Sequence, residues 1–362
     1  MSNVDVVPDP RIEALHRRLA ENSLGGHWQP RAEQTLPLVP FVWKWSAIYS
    51  CLMESGEVIR LGHIDEAAKR RTVNLVNPTL SARKATSRTL QMSVQLVKPG
   101  ETAECHRHTA GALRFAVEGD GTGYTNVEGE QMLMEPGDLV LTPNWTWHDH
   151  QNPGTKNLVW LDVLDTHLTT HLDAGYHENY SADPARQNYF KGAMQPIVRA
   201  DGYCRERFAA VRVRSPQADG RALPFAYKWR DTLRTLKAMA AAGHSDPYEG
   251  VLVEYVNPLT GGPTMPTIGC RAQMLAPGET TKPHRHTSST IYHVVQGEGV
   301  TTVGPKKGSG EELVWGERDC FFVPSKDWRQ FRNTSKTEPA ILFSVTDRPV
   351  LESLGLYREE QG

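Results

Sequence analysis

Two stretches far apart in the chain are copies of one pattern. VKPGETAECHRHTAGALRFAVEGDG (97–121) aligns without a gap with LAPGETTKPHRHTSSTIYHVVQGEG (275–299). PGDLVLTPNWTWHDHQN (136–152) aligns in the same order with GERDCFFVPSKDWRQFRN (316–333). Two blocks repeated in order imply two copies of one supersecondary unit. Within each copy, short runs rich in β-branched and aromatic residues recur about every 8–12 residues, separated by Gly, Pro and Asn. LQMSVQLV, ALRFAVEG, DLVLTP and LVWLDVLD mark the first copy; TIYHVVQGEG, CFFVPS and AILFSVTD mark the second. That rhythm predicts an all-β barrel or sandwich, formed twice.

The chain has 362 residues, enough for both copies and a sizeable core. The expected organisation is a helical arm over 1–71, a first barrel over 72–176, a linker over 177–250 and a second barrel over 251–362. PRIEALHRRLAEN (10–22) reads as an amphipathic helix with Ile12, Leu15 and Leu19 on one face. YKWRDTLRTLKAMAAAG (227–243) reads as a linker helix closed by a glycine. The ending SVTDRPVLESLGLYRE reads as a strand followed by a docking helix. The 40 basic and 42 acidic residues leave a net charge of −2 and are scattered. That pattern offers no footprint for nucleic acid or for a membrane surface. The start lacks the charged and apolar regions of a signal peptide. Five dispersed cysteines, with no CxxC, fit reduced thiols and a cytoplasmic location.

Chemistry concentrates in the first copy. Side chains alternate faces along a strand, so His106 and His108 point one way while Cys105 and Arg107 point the other. A third imidazole, His148, follows in GDLVLTPNWTWHDHQN, with His150 and Asn152 beyond it. G-x5-H-x-H followed by G-x5-P-x4-H-x3-N are the two cupin motifs. The fold expected is therefore two tandem cupin barrels (double-stranded β-helix, jelly-roll), with an N-terminal helical arm and a helical linker. Alone, each His-x-His is an ordinary strand pair; with His148 the three become a metal site. Three neutral imidazoles suit Fe(II), Mn(II), Zn or Cu. The glutamate that many cupins place after the His-x-His is replaced here by Ala112 and Leu113. A three-His face leaves open positions, which suits a redox iron that holds substrate and O2 together better than a closed structural ion.

Arg114 lies six residues past His108 and is expected to point into the barrel. An inward guanidinium needs an anion. Either Asp138 or Asp162 supplies it, or the fork binds a substrate carboxylate. His150, two past a ligand, is placed for hydrogen bonding to substrate or oxygen, or packs beside the pocket. Asp162, inside the apolar run LVWLDVLD, is a candidate orienter of an imidazole N–H. In the second copy His284 and His286 repeat the pair. Arg329 and Phe331 fall where His148 and His150 stand, and an arginine cannot ligate a cation. The second copy is expected to be a metal-free scaffold.

HRHT…ALRF.VEG.G…T.VEGE…M.PGDL..TP.WTWHDH.N resembles the gentisate 1,2-dioxygenases, grouped with the salicylate and 1-hydroxy-2-naphthoate dioxygenases of the bicupin class. VWKWS (42–46), RRTVNLVNPTL (70–80), YVNPLTGGPTMPTIGC (255–270) and SVTDRPVLESLGLYRE (344–359) extend the resemblance over most of the chain. It implies an oxidoreductase with one Fe(II) per subunit on His106, His108 and His148. It implies an aromatic hydroxy acid chelated through its carboxylate and ortho hydroxyl. O2 then opens the ring between the two substituted carbons, and both oxygen atoms enter the product. Arg114 and Arg70 would neutralise the carboxylate side. Gln91, Ser93 and Gln95 would line the substrate pocket. His150, Asp149 and Asp162 would surround the iron as proton carriers or orienters. A homo-oligomer, usually a tetramer, is also implied. Ser93 stands where gentisate-type members carry Gly or Ala, which makes a 5-substituted salicylate, nitro- or halo-, a competitor to gentisate. The rival readings are a 1-hydroxy-2-naphthoate-type dioxygenase, a Zn or Mn bicupin isomerase or hydrolase, and a non-catalytic bicupin.

Overall fold

The computed structural model describes residues 10–24, 37–59, 61, 70–180, 197–199, 201, 204 and 225–362. One compact unit, Met1–Pro37, contains the helix Pro10–Glu21. The other, Leu38–Gly362, contains two barrels.

Each barrel is a six-stranded sheet facing a five-stranded one, all antiparallel. In the first, the six strands run in the spatial order Ala226–Tyr227, Leu139–Thr142, Ala112–Glu118, Leu158–Leu164, Gln91–Val97, Thr72–Asn74. The five run His177–Asn179, Thr102–His108, His148–Gln151, Tyr124–Val127, Glu130–Leu133. The second barrel repeats this order strand for strand. Its six are Phe41–Trp43, Cys320–Val323, Thr290–Gln296, Ala340–Thr346, Gly269–Leu275 and Val251–Tyr255. The motif blocks repeated in the sequence are thus repeated structural units, and the fold is the expected bicupin.

Strand parity builds the core. On Leu158–Leu164, Leu158 and Trp160 turn into the barrel with Val97, Ala116 and Met134, while Val159, Leu161 and Val163 turn outward. The outward faces of the two six-stranded sheets pack on each other. Phe115 stacks on Phe343 at 4.2 Å between ring centroids, and Phe115, Leu161, Phe322 and Val345 are buried in the same cluster. Burying each such side chain stabilises by roughly 1.5–3 kcal/mol.

The repeat also reaches the arms. PFVWKW (40–45) and PFAYKW (224–229) are a third matching block. The strand Phe41–Trp43, which precedes the first barrel, pairs with Cys320–Val323 of the second. The strand Ala226–Tyr227, which precedes the second, pairs with Leu139–Thr142 of the first. Lys44 Nζ binds Asp319 at 2.7 Å, and Lys228 binds Asp138 in the equivalent place. The arms are exchanged. The helix Trp45–Val58 follows the first arm and Trp229–Ala241 the second; the latter was expected over 227–243 and ends at Gly243 with φ +74°. Gly137, with φ +91°, is required where it sits: a Cβ there would lie 2.3 Å from Trp229. The ending forms the strand Ala340–Thr346 and the helix Arg348–Ser353, as expected.

Candidate metal centre

Three ligand-type side chains meet in the first barrel. His106 and His108 come from the strand Thr102–His108, and His148 opens the neighbouring strand His148–Gln151. A bulge between Ala103 and His106 sets His106 directly opposite His148. One nitrogen from each of the three lies within 4.8 Å of the others. Their ring centroids are 5.2, 4.4 and 4.9 Å apart.

Backbone carbonyls set two of the tautomers. His108 Nδ1 lies 2.7 Å from the Ala110 carbonyl, and His148 Nδ1 lies 2.9 Å from that of Thr146. A carbonyl only accepts, so Nδ1 carries the proton and Nε2 is left as a lone pair. His148 Nε2 is buried with no hydrogen-bond partner among the described residues. His106 differs. Its Nδ1 is 3.3 Å from the Glu104 carbonyl but 2.5 Å from Arg70 Nη2, which can only donate. Arg70 also donates to the Glu104 carbonyl at 2.6 Å. Arg70 therefore stands beside the first imidazole, and its pKa is lowered to about 10, chiefly by burial and then by Arg114.

Burial keeps the imidazoles neutral. His108 is held down at about 4, chiefly by burial, with Arg114 and His177 adding to the effect and the Ala110 hydrogen bond opposing it. His106 and His148 are held well below the usual imidazole range, first by burial, then by Arg70 and Arg114 respectively. Neutral imidazoles are what a transition ion needs, and His108 and His148 present their Nε2 lone pairs.

The remaining predicted residues divide. Arg114 points inward and is 2% exposed. Its Nε is 3.6 Å from Asp162 Oδ1, and its Nη1 donates to Thr142 Oγ1. Of the two acids proposed as its partner, Asp138 is taken by Lys228 and by the Trp229 amide. Burial raises the Asp162 pKa while Arg114 and Arg70 lower it. Ser93 is paired in register with Asp162, and Gln95 with Trp160, so both face the interior. Gln95 Nε2, Arg114 Nε, Trp160 Nε1 and Asp162 Oδ1 are buried without hydrogen-bond partners among the described residues. Their unmet hydrogen-bonding capacity is gathered in the interior of the first barrel. His150 lies on the same strand face as His148, its ring 4.9 Å from Trp160. His150 Nδ1 is 2.9 Å from Thr125 Oγ1, which itself lies 3.3 Å from Met134 Sδ.

Two predicted residues are engaged elsewhere. Asp149 lies between His148 and His150, on the opposite strand face, where Asn126 donates to it at 3.4 Å. Gln91 is held by its own turn: its amide donates to Thr86 Oγ1 and to the Met92 carbonyl, and its Oε1 meets His167 at 3.0 Å. A residue without a place in the motif appears instead. His177 is paired in register with His108, and its ring stacks on His106 at 5.1 Å and 25°. It lies in no repeated block, so spacing carried no signal for it.

The second barrel fills the same position differently. His284 Nε2 is 3.2 Å from Glu249 Oε1, and Arg329, fully buried, donates to Thr290 Oγ1 at 3.1 Å and to the Pro324 carbonyl at 3.4 Å. Burial works to raise the Glu249 pKa, but His284, Arg271 and Arg329 leave it lowered.

A cupin domain model matches residues 93–164 and 272–346, one match in each barrel. The chain is 36% identical to a 5-aminosalicylate 1,2-dioxygenase of Comamonas sp, covering 96% of this chain and 90% of that one. It is 35% identical to a gentisate 1,2-dioxygenase of Haloferax sp, covering 95% of each. In structure it is similar to a salicylate 1,2-dioxygenase from Pseudoaminobacter salicylatoxidans in its adducts with gentisate. That match has a TM-score of 0.81 and 29% identity, covering 99% of this chain and 96% of the other.

Proposed function

The chain belongs to the gentisate and salicylate 1,2-dioxygenases, ring-cleaving enzymes of the bicupin class, and on that premise we propose that its first barrel holds one Fe(II) per chain and opens gentisate or a 5-substituted salicylate. Cleavage falls between the carboxyl- and hydroxyl-bearing carbons, and both atoms of O2 enter the product. The observation that carries the reading is the convergence of His106, His108 and His148 opposite an inward guanidinium, Arg114.

The donor set fits the ion. The imidazoles are neutral, two present Nε2 by virtue of their carbonyl contacts, and the buried His148 Nε2 awaits a partner. When bound, Fe(II) would supply a chelation point for the carboxylate and ortho hydroxyl of the acid and the means to activate O2. The protein supplies position and charge. Arg114 takes the substrate carboxylate as an ion pair, with Asp162 and Thr142 fixing the angle of its fork. Arg70 adds a second positive charge beside His106. His150, its Nδ1–H held by Thr125, keeps the Nε2 lone pair available to accept the hydroxyl proton. Trp160 and the apolar barrel floor exclude water. Ser93 and Gln95 face the ring and bear on which 5-substituent is accepted. The buried Glu249–His284 pair and Arg329 support a second barrel that binds no iron. Five free cysteines support a cytoplasmic location, and the resemblance supports a homotetramer.

The test is O2 uptake after anaerobic Fe(II) loading. The panel is gentisate, 5-aminosalicylate, salicylate, 5-nitro- and 5-chlorosalicylate, and 1-hydroxy-2-naphthoate. Uptake is expected with gentisate or a 5-substituted salicylate. No uptake on any acid contradicts the proposal.

A further inference from the structure

We infer that the second barrel positions a metal ligand of the first, through the hydrogen bond from Thr267 to Asp165. The inference rests on the proposed three-His site. Thr267 belongs to the second barrel, and its Oγ1 donates to Asp165 Oδ2 at 2.5 Å. Asp165 belongs to the first barrel and is fully buried. Its other oxygen, Oδ1, accepts the Gly111 amide at 2.8 Å, and its own amide donates to the Gly111 carbonyl at 3.2 Å. The same peptide unit that carries the Gly111 N–H carries the Ala110 carbonyl, which accepts from His108 Nδ1 at 2.7 Å. The path from Thr267 to the His108 ring is therefore short: one carboxylate and one rigid peptide unit. The peptide is planar, so fixing its N–H also fixes the direction of its C=O.

The molecule contains its own control. In the second barrel, Asp347 Oδ1 accepts the Ser289 amide at 3.0 Å, and the Ser288 carbonyl accepts His286 Nδ1 at 2.9 Å. Thr89, from the first barrel, donates to Asp347 Oδ2 at 2.7 Å. Each barrel thus braces the histidine pair of the other. Only one direction, from Thr267 toward His108, ends on the three-His group. The reciprocal bond from Thr89 ends where Arg329 occupies the third position. The second barrel is more than a relic: it orients an imidazole it does not own. Groups that orient metal-bound histidines are worth about 10–100-fold in metal affinity.

The experiment compares Thr267→Val with Thr89→Val. Both delete one half-buried threonine hydroxyl that donates to a buried aspartate across the same two barrels. Co(II) binding to metal-free protein is measured by competition with a chromophoric chelator, alongside the visible Co(II) band and the melting temperature. Thr267→Val is expected to weaken Co(II) binding by about 10–100-fold and to shift the band. Thr267→Ser restores both, and Thr267→Ala, with less bulk, repeats the loss. Thr89→Val is expected to lower the melting temperature to a similar degree with Co(II) affinity and band unchanged. Equal effects of Thr267→Val and Thr89→Val on affinity, or none from either, would overturn the inference while leaving the three-His site intact. A wild-type protein that takes up no Co(II), or whose uptake survives His148→Ala, would overturn the site itself and the inference with it.

Discussion

Arg114 Nε lies 3.6 Å from Asp162 Oδ1 inside the barrel that carries His106, His108 and His148. A buried guanidinium facing one carboxylate oxygen, with a second donor already on Thr142, is held at a set angle, as the proposed receptor for the substrate carboxylate requires. Arg114→Met removes that receptor without touching an imidazole. Fe(II) stoichiometry should stay at one per chain. The ratio kcat/KM for the aromatic acid should fall roughly 100-fold, from the loss of about 2–3 kcal/mol in hydrogen bonds to a charged group. Most of the fall should appear in KM. Arg114→Lys should recover only part, because an ammonium lacks the fork. Steady-state kinetics with metal analysis on each variant reads the result.

The two histidine pairs should part under substitution. His148→Ala should abolish stoichiometric Fe(II) binding, since it removes one of three converging nitrogens. His284→Ala should keep one iron per chain and lower the melting temperature, because Glu249 loses its 3.2 Å partner in a buried position. Metal analysis after gel filtration separates the outcomes. Loss of half the metal in the second variant would mean two sites.

Stability of the metal-free protein should fall with acid earlier than for a chain of exposed histidines. Burial is the chief cause holding His106, His148, His150 and His286 well below the usual imidazole range; it lowers His108 to about 4 and His293 to about 3. In the unfolded chain these groups titrate near 6.5. Below that pH the unfolded state binds more protons, so folding stability drops as pH falls. The loss runs from about pH 6.5 down through about pH 4 for His108 and about pH 3 for His293. Melting curves from pH 8 to pH 4 should show it, and a flat profile between pH 7 and pH 5 would contradict it.

The exchanged arms predict a fold-wide effect of a single lysine. Lys228 from the second arm meets Asp138 of the first barrel, with Asp138 1% exposed. Lys228→Met leaves that carboxylate buried and unpaired, at a cost of about 3–5 kcal/mol. Lys44→Met, whose lysine is about half exposed, should cost less. Chemical denaturation of the two variants compares them.

Much of the site was readable because strand chemistry is periodic. Side chains two positions apart on one strand take the same face. His106 with His108, and His148 with His150, follow from that rule; Arg114 stands past a turn on another strand, Ala112–Glu118 of the six-stranded sheet, and turns inward by that strand's own parity. The same rule puts Asp149 on the far side from the two imidazoles that flank it. Gln91 was less readable because turn chemistry outcompetes parity there: Thr86 and the Met92 carbonyl claim its amide. His177 is brought to His106 by a strand pairing far along the chain, which no local spacing announces. The third repeat block, PFVWKW and PFAYKW, was visible as letters, but its destination was not. Which barrel an arm completes depends on long-range packing, and here each completes the other's.

Dioxygenation at one three-His iron centre leaves a signature that labelled oxygen reads. Enzyme loaded anaerobically with one equivalent of Fe(II) is given gentisate or 5-aminosalicylate under 18O2, and the product is weighed by mass spectrometry. Two 18O atoms in a ring-opened product, absent in His148→Ala and present in His284→Ala, are the predicted result. One labelled atom, none, or full labelling by the His148→Ala protein would contradict it.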